Sequence, residues 1–177
     1  SRNHSTWPNG PNPFGCSNAQ DDLAIITSST NGFGYRPQDH GGTFSTATNM
    51  LVSNKKISET GSINTNTEQD FFKIAMPADN RLLLEAIPFN VDAAESGSNL
   101  NMEMKLYHRN KNLLNSYNPP TTLTASIDTF LNKGEYYIAV TGGSSAFTSS
   151  YASLGAYSLK GSFGDMTVLP LHRLQLT

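Results

Sequence analysis

The string Asn64-Thr65-Asn66-Thr67-Glu68-Gln69-Asp70 places hard oxygen ligands at alternate positions, the donor chemistry that calcium prefers. The same residues also fit a solvated turn whose Asn and Thr side chains bond their own backbone. A second loop, Arg36-Pro37-Gln38-Asp39-His40-Gly41-Gly42, is rich in turn formers and holds one carboxylate. His4, His40, His108 and His172 stand far apart, with no pair three or four residues from one another, so no single element carries a zinc pair. No phosphate loop, dinucleotide fingerprint, His-Glu-x-x-His or Gly-x-Ser-x-Gly motif occurs, and nothing in the spacing positions a Ser-His-Asp set. Cys16 is the only cysteine, so the chain contains no disulfide framework. It reads as an inert half-buried thiol or as one half of a pair with an upstream cysteine.

These residues must be held by short strands. Met102-Glu103-Met104-Lys105-Leu106-Tyr107 alternates strictly, with Met102, Met104 and Leu106 facing a core. Tyr136, Ile138 and Val140 repeat the pattern, as do Tyr157 with Leu159, Phe72 with Ile74 and Met76, and Leu82 with Leu84 and Ala86. Leu123, Ala125 and Ile127 form a further face, and Ile57 to Ile63 is a weaker candidate. Turn residues separate the runs at Asp79-Asn80, Asn110-Lys111-Asn112, Asn118-Pro119-Pro120 and Asn132-Lys133-Gly134. Seven or eight half-buried strands with polar turns predict an all-β protein, an antiparallel jelly-roll-like β-sandwich. One short helix is expected around residues 19–26, capped by Asn18, with Leu23, Ile25 and Ile26 as its apolar set. The small polar loop from Gly142 to Ser153 is expected to be the first place proteolysed unless Phe147 and Tyr151 hold it down.

Composition narrows the function classes. The 177 residues carry a net charge of −2, and only 15% are charged, against about 25% in ordinary soluble domains. Ser, Thr and Asn number 20, 17 and 18, so neutral hydrogen-bonding groups supply the polar surface. The longest basic run is Lys55-Lys56, which argues against nucleic acid and polybasic membrane partners. No apolar stretch approaches the roughly 18 residues of a membrane span. The chain starts at Ser1 rather than Met, the first residues show no charged n-region followed by an apolar h-region, and the sequence reads as a processed or excised piece of something longer.

Several strings, in order over residues 43–163, resemble bacterial pre-peptidase C-terminal domains. They are Gly61-Ser62-Ile63, Gln69-Asp70-Phe71-Phe72-Lys73-Ile74, Asn99 to Tyr107, Ser116-Tyr117-Asn118-Pro119, Leu131 to Val140, and Ser150-Tyr151-Ala152-Ser153-Leu154-Gly155-Ala156-Tyr157. Trp7, the segment from Asn18 to Ile26, and Gly32 to Gly41 resemble the end of the catalytic domain in metzincin-type secreted zinc metallopeptidases. The division implied is 1–40 as the tail of that upstream domain, 41–164 as a β-sandwich, and 165–177 as a linker to a further module. The resemblance implies a jelly-roll-like fold and a non-catalytic accessory domain of a secreted or cell-surface metallopeptidase, aiding secretion, folding or substrate localisation. Zinc and the general base would belong only to the upstream catalytic domain, which would be the chain's partner in the same polypeptide.

Related collagen-binding modules of clostridial collagenases hold calcium between an acidic N-terminal segment and the loop before the Asp-aromatic-aromatic strand. The corresponding candidates here are Asp39, Asn66 and Asp70, a set with few carboxylates and therefore a weak, extracellular type of calcium site. The alternative expectation is a stand-alone binding module, monomeric, for fibrous protein or polysaccharide. Its contacts would come from Tyr107, Tyr137 and Tyr151, with Tyr117 and Phe147, if these stand together on the surface.

Overall fold

The computed structural model describes residues 9–11, 19–90, 97–145 and 149–164. Trp7, Cys16, Asn18, Phe147, His4, His172 and the expected linker 165–177 lie outside them. In chain order the elements are β1 (Asn9–Pro11), β2 (Ala19–Asp21), α1 (Asp22–Ile26), β3 (Thr48–Asn49), β4 (Val52–Ser53) and β5 (Lys56–Ile63). There follow β6 (Asp70–Met76), β7 (Asn80–Pro88), β8 (Met102–His108), β9 (Leu113–Tyr117), β10 (Ala125–Leu131), β11 (Gly134–Gly142) and β12 (Gly155–Gly164).

Two five-stranded sheets form the body, ordered β10-β7-β12-β5-β4 and β3-β6-β11-β8-β9. From β5 to β12 the chain passes back and forth between the sheets, with only the β8–β9 hairpin staying within one. That winding of eight strands is a jelly roll, so the strand order that periodicity left undefined follows the double Greek key. Every pairing in it is antiparallel. The parallel pair is β3 on β6, a two-residue edge.

The alternating residues meet between the sheets. Leu82, Leu84 and Ala86 of β7 and Leu159 of β12 face Phe72 and Ile74 of β6, Met102 and Met104 of β8, and Ile138 of β11, all essentially solvent-free. Fully burying each large apolar side chain stabilises the fold by roughly 1.5–3 kcal/mol, which is why the strict period of two survives in these strands. In the β4–β5 hairpin, Asn54 and Lys55 both take positive φ, 50° and 62°, as a two-residue type I′ turn requires.

The helix differs from expectation. Residues 19–21 pair with β1 and are extended, so α1 starts later and Asp21, not Asn18, is its N-cap, accepting from the Ala24 amide at 3.0 Å. Only Leu23 of its apolar set is buried; Ile25 and Ile26 are 51% and 38% exposed. β9 carried no alternation because four of its five residues are exposed on an edge.

Candidate metal centre and aromatic face

Asp70 opens β6 on the same inward face as Phe72, so its side chain points between the sheets at one end of the sandwich. From the opposite sheet, Tyr157 of β12 crosses the interior and donates to Asp70 Oδ2 at 2.6 Å. Gly61, directly opposite Tyr157 on β5, makes the crossing possible. A Cβ there would lie 2.4 Å from the phenol oxygen and 2.5 Å from its ring carbon.

Glu68 is folded back by the turn between β5 and β6. Its Oε2 accepts from the amides of Asn64 at 2.6 Å and Thr65 at 3.0 Å, and the residue is buried. Asp39 arrives on the incoming segment, exposed, with Ser62 Oγ donating to its Oδ2 at 3.1 Å. That segment is fastened on both sides. Gln38 Nε2 donates to the Gln69 carbonyl at 3.0 Å, and the Phe71 amide donates to the Gly41 carbonyl at 2.9 Å. His40 bonds Thr48 Oγ1 through Nδ1 and the Thr60 carbonyl through Nε2, with its ring 4.6 Å from that of Phe72. The carbonyl bond fixes the Nε2–H tautomer in the neutral imidazole.

Asp39, Glu68 and Asp70 thus present carboxylate oxygens within 4.8 Å of one another. Burial pushes the Asp70 carboxyl up to about 6; the Tyr157 hydroxyl opposes this, and Asp39 and Glu68 add to it. The Tyr157 phenol is itself pushed up by burial and by the same carboxylates. Asp70 Oδ1 is buried and has no hydrogen-bond partner among the described residues. A buried acceptor left unpaired among like charges is costly, and a cation would satisfy both demands. Hard oxygens alone suit calcium, whereas zinc prefers nitrogen and sulfur ligands. The donor chemistry therefore fits a calcium ion, which Asp39, Glu68 and Asp70 would hold through their carboxylates.

Of the residues expected from sequence, Asp39 and Asp70 are brought together and Asn66 is not. Its Oδ1 accepts from the Ala152 amide at 2.8 Å, tying the β5–β6 turn to the β11–β12 loop. Glu68 stands where Asn66 was expected; it lies in the same oxygen-rich string, but only the turn decides which side chain folds inward. Tyr157 and Gly61 carried no site signal, because alternation marks Tyr157 simply as core.

The aromatic candidates separate. Tyr107 and Tyr137 are register partners on β8 and β11, side by side on the outer face of their sheet. Phe44 stands edge-on to both, with ring centroids at 5.1 and 5.3 Å, and 4.7 Å from Phe71. Lys111 Nζ lies 5.6 Å from the Phe44 centroid. Tyr117 packs against the core cluster. Tyr151 stands apart: its hydroxyl donates to Asp21 Oδ1 at 2.7 Å and accepts from the Leu23 amide at 3.0 Å, fastening the late loop to α1. The Tyr151 hydrogen bond, seconded by the Ala24 amide, holds the Asp21 carboxyl below its ordinary value. A cleft of about 650 Å³, lined in part by Arg36, Gln38, Phe44, Glu68 and Phe71, runs between the carboxylate group and the aromatic face.

No family model matches the chain, and no curated protein does. Among solved structures, it is similar to the pre-peptidase C-terminal domain of collagenase from Bacillus anthracis, at 14% identity and a TM-score of 0.45, over 73% of this chain and 98% of that one. It is also similar to PliG of Aeromonas hydrophila, a periplasmic inhibitor of g-type lysozyme, at 12% identity and a TM-score of 0.43, over 67% and 96%. A third similarity is to CBM35 from Cellvibrio japonicus, at 19% identity and a TM-score of 0.38, over 74% and 88%. Likenesses this distant say nothing of what the chain binds or does.

Proposed function

We propose that the chain is a non-catalytic accessory module of a secreted bacterial metallopeptidase, with a calcium ion held by Asp39, Glu68 and Asp70. The observation that carries the reading is where these carboxylates come from. Asp39 lies on the segment entering the sandwich, whereas Glu68 and Asp70 belong to the turn before β6 and to β6 itself. A cation there clasps the incoming chain to the sandwich and fixes how an upstream domain is carried. The ordered resemblance over residues 43–163 supports the accessory role. The ion's chemistry is charge neutralisation; Ser62, Tyr157 and the Asn64 and Thr65 amides hold the carboxylates in place.

The test is secretion of the longer polypeptide with this module intact, deleted, or carrying Asp39→Asn, Glu68→Gln and Asp70→Asn together. Secreted, folded peptidase is expected to fall on deletion and on triple substitution, and to fall for the intact protein when calcium is withdrawn. Unchanged yield and location on deletion would refute the accessory role.

A second reading, binding of fibrous protein or carbohydrate, is favoured by the convergence of the half-buried Phe44, Tyr107 and Tyr137 on one outer face, over the buried Phe71. Co-sedimentation with collagen, chitin and cellulose, lost on Tyr107→Ala with Tyr137→Ala, is its expected result.

A further inference from the structure

The opposite end of the same sheet carries a second concavity. A cleft of about 570 Å³ opens between the β8–β9 hairpin and the β10–β11 turn, walled by Leu114, Phe130 and Tyr136, with Arg109 and Lys133 at its rim. Leu114 and Phe130 are 49% and 50% exposed although each is large and apolar. Both turns are internally braced. The His108 carbonyl accepts from the Lys111 amide at 2.8 Å, the His108 amide donates to the Asn112 carbonyl at 2.9 Å, and the Tyr136 hydroxyl donates to the Asn132 carbonyl at 3.0 Å.

The charge in this cleft is one-sided. Among the described residues the ion pairs are Lys73–Glu135, Arg81–Asp128 and Lys105–Glu103, so neither Arg109 nor Lys133 is held in one. The nearby Asp79 carboxylate already accepts the Lys133 backbone amide at 2.7 Å. β9 and β10 are each the last strand of their sheet, so among the described residues each has one side that no further strand pairs. An apolar wall, two cations and free strand edges together match a single kind of ligand. A simple fatty acid would leave the strand edges unused, and a neutral glycan would leave the cations unused.

We propose that this cleft binds the C-terminal end of a peptide, its free carboxylate at Arg109 and Lys133 and its apolar last side chain against Leu114 and Phe130. The main chain adds to the open edge of β9 or β10. Arginine suits the carboxylate because its donors meet both oxygens at once.

The test is an amide NMR titration of the whole chain with a blocked tripeptide ending in leucine, as free acid and as C-terminal amide, with octanoate as a third probe. Saturable shifts confined to 108–114 and 130–136 are expected for the acid, with the amide and octanoate at least about tenfold weaker, as loss of a charge-assisted bond or of the edge bonds implies. Arg109→Ala with Lys133→Ala is expected to weaken the acid by about the same factor at unchanged melting temperature, since both side chains are exposed. Equal binding of acid and amide would overturn the proposal. So would equal binding of octanoate, or no shift at about 10 mM peptide, well above the dissociation constants of such motifs.

Discussion

The Tyr157 phenol donates a 2.6 Å hydrogen bond to Asp70 across the interior, linking β12 of one sheet to β6 of the other. The bond exists because Gly61 leaves room for the ring, and it satisfies one of the two Asp70 oxygens while the other has no partner among the described residues. Interior packing, the glycine and the candidate metal site are therefore one construction.

Removing the phenol oxygen should expose that dependence. Tyr157→Phe leaves both carboxylate oxygens of a buried acid without the bond, and is expected to destabilise the calcium-free chain by about 1–3 kcal/mol at neutral pH. Gly61→Ala should cost a similar amount by pushing the ring off its path, since its new methyl meets the phenol itself. Urea melts of both variants measure this. If Tyr157→Phe proved neutral while Gly61→Ala did not, the ring would matter and its hydroxyl would not.

The pH dependence follows from Asp70. Its folded value of about 6 lies above the ordinary 3.8, so the folded chain holds the proton more tightly than the unfolded one. Acidification from about pH 7.5 to 5 should therefore stabilise the calcium-free protein, by at most about 1.4 kcal/mol. The gain is complete below the unfolded value and is lost as pH rises through 6. Asp21 and Asp128 act oppositely at lower pH, because both are held below their ordinary values and lose their bonds on protonation. Asp70→Asn should flatten the rise between pH 7.5 and 5 and leave the acid limb intact. A wild-type profile flat over that interval would contradict the assignment.

The sandwich was readable because its strands bury one face. Met102-Glu103-Met104 or Leu82-Leu83-Leu84 must place alternate residues inside, whatever the strand order. Winding was not readable, since it depends on which edges meet and the periodicity of β5 to β12 is much the same throughout. At the candidate site, Asp70 was visible as a carboxylate ending an oxygen-rich string, and Asp39 as the one carboxylate of a turn-rich loop. The exchange of Asn66 for Glu68 was not, because both sit within one turn and the Asn64 and Thr65 amides select the inward side chain. Tyr107 and Tyr137 were visible as outward aromatics, whereas Phe44 sits in a loop with no period to mark it.

Asn66 and Tyr151 are expected to act on the late loop. Asn66 Oδ1 holds the Ala152 amide, and the Tyr151 hydroxyl holds Asp21 and Leu23. Asn66→Ala and Tyr151→Phe should each speed cleavage between 142 and 153 under limited proteolysis, by roughly fivefold for about 1 kcal/mol of lost local bonding. Calcium affinity should be unchanged in both. A drop in calcium affinity with Asn66→Ala would return that side chain to the ligand set.

The most direct measurement is the melting temperature of the chain during a calcium titration at neutral pH, with magnesium as the control ion. For a site in the millimolar class, about 10 mM calcium should add roughly 1–2 kcal/mol and raise the midpoint by about 3–6 °C. Asp70→Asn and Glu68→Gln should abolish the rise, and magnesium should not reproduce it. A midpoint that stays still in the wild-type chain up to about 10 mM calcium would contradict the calcium clasp of Asp39, Glu68 and Asp70.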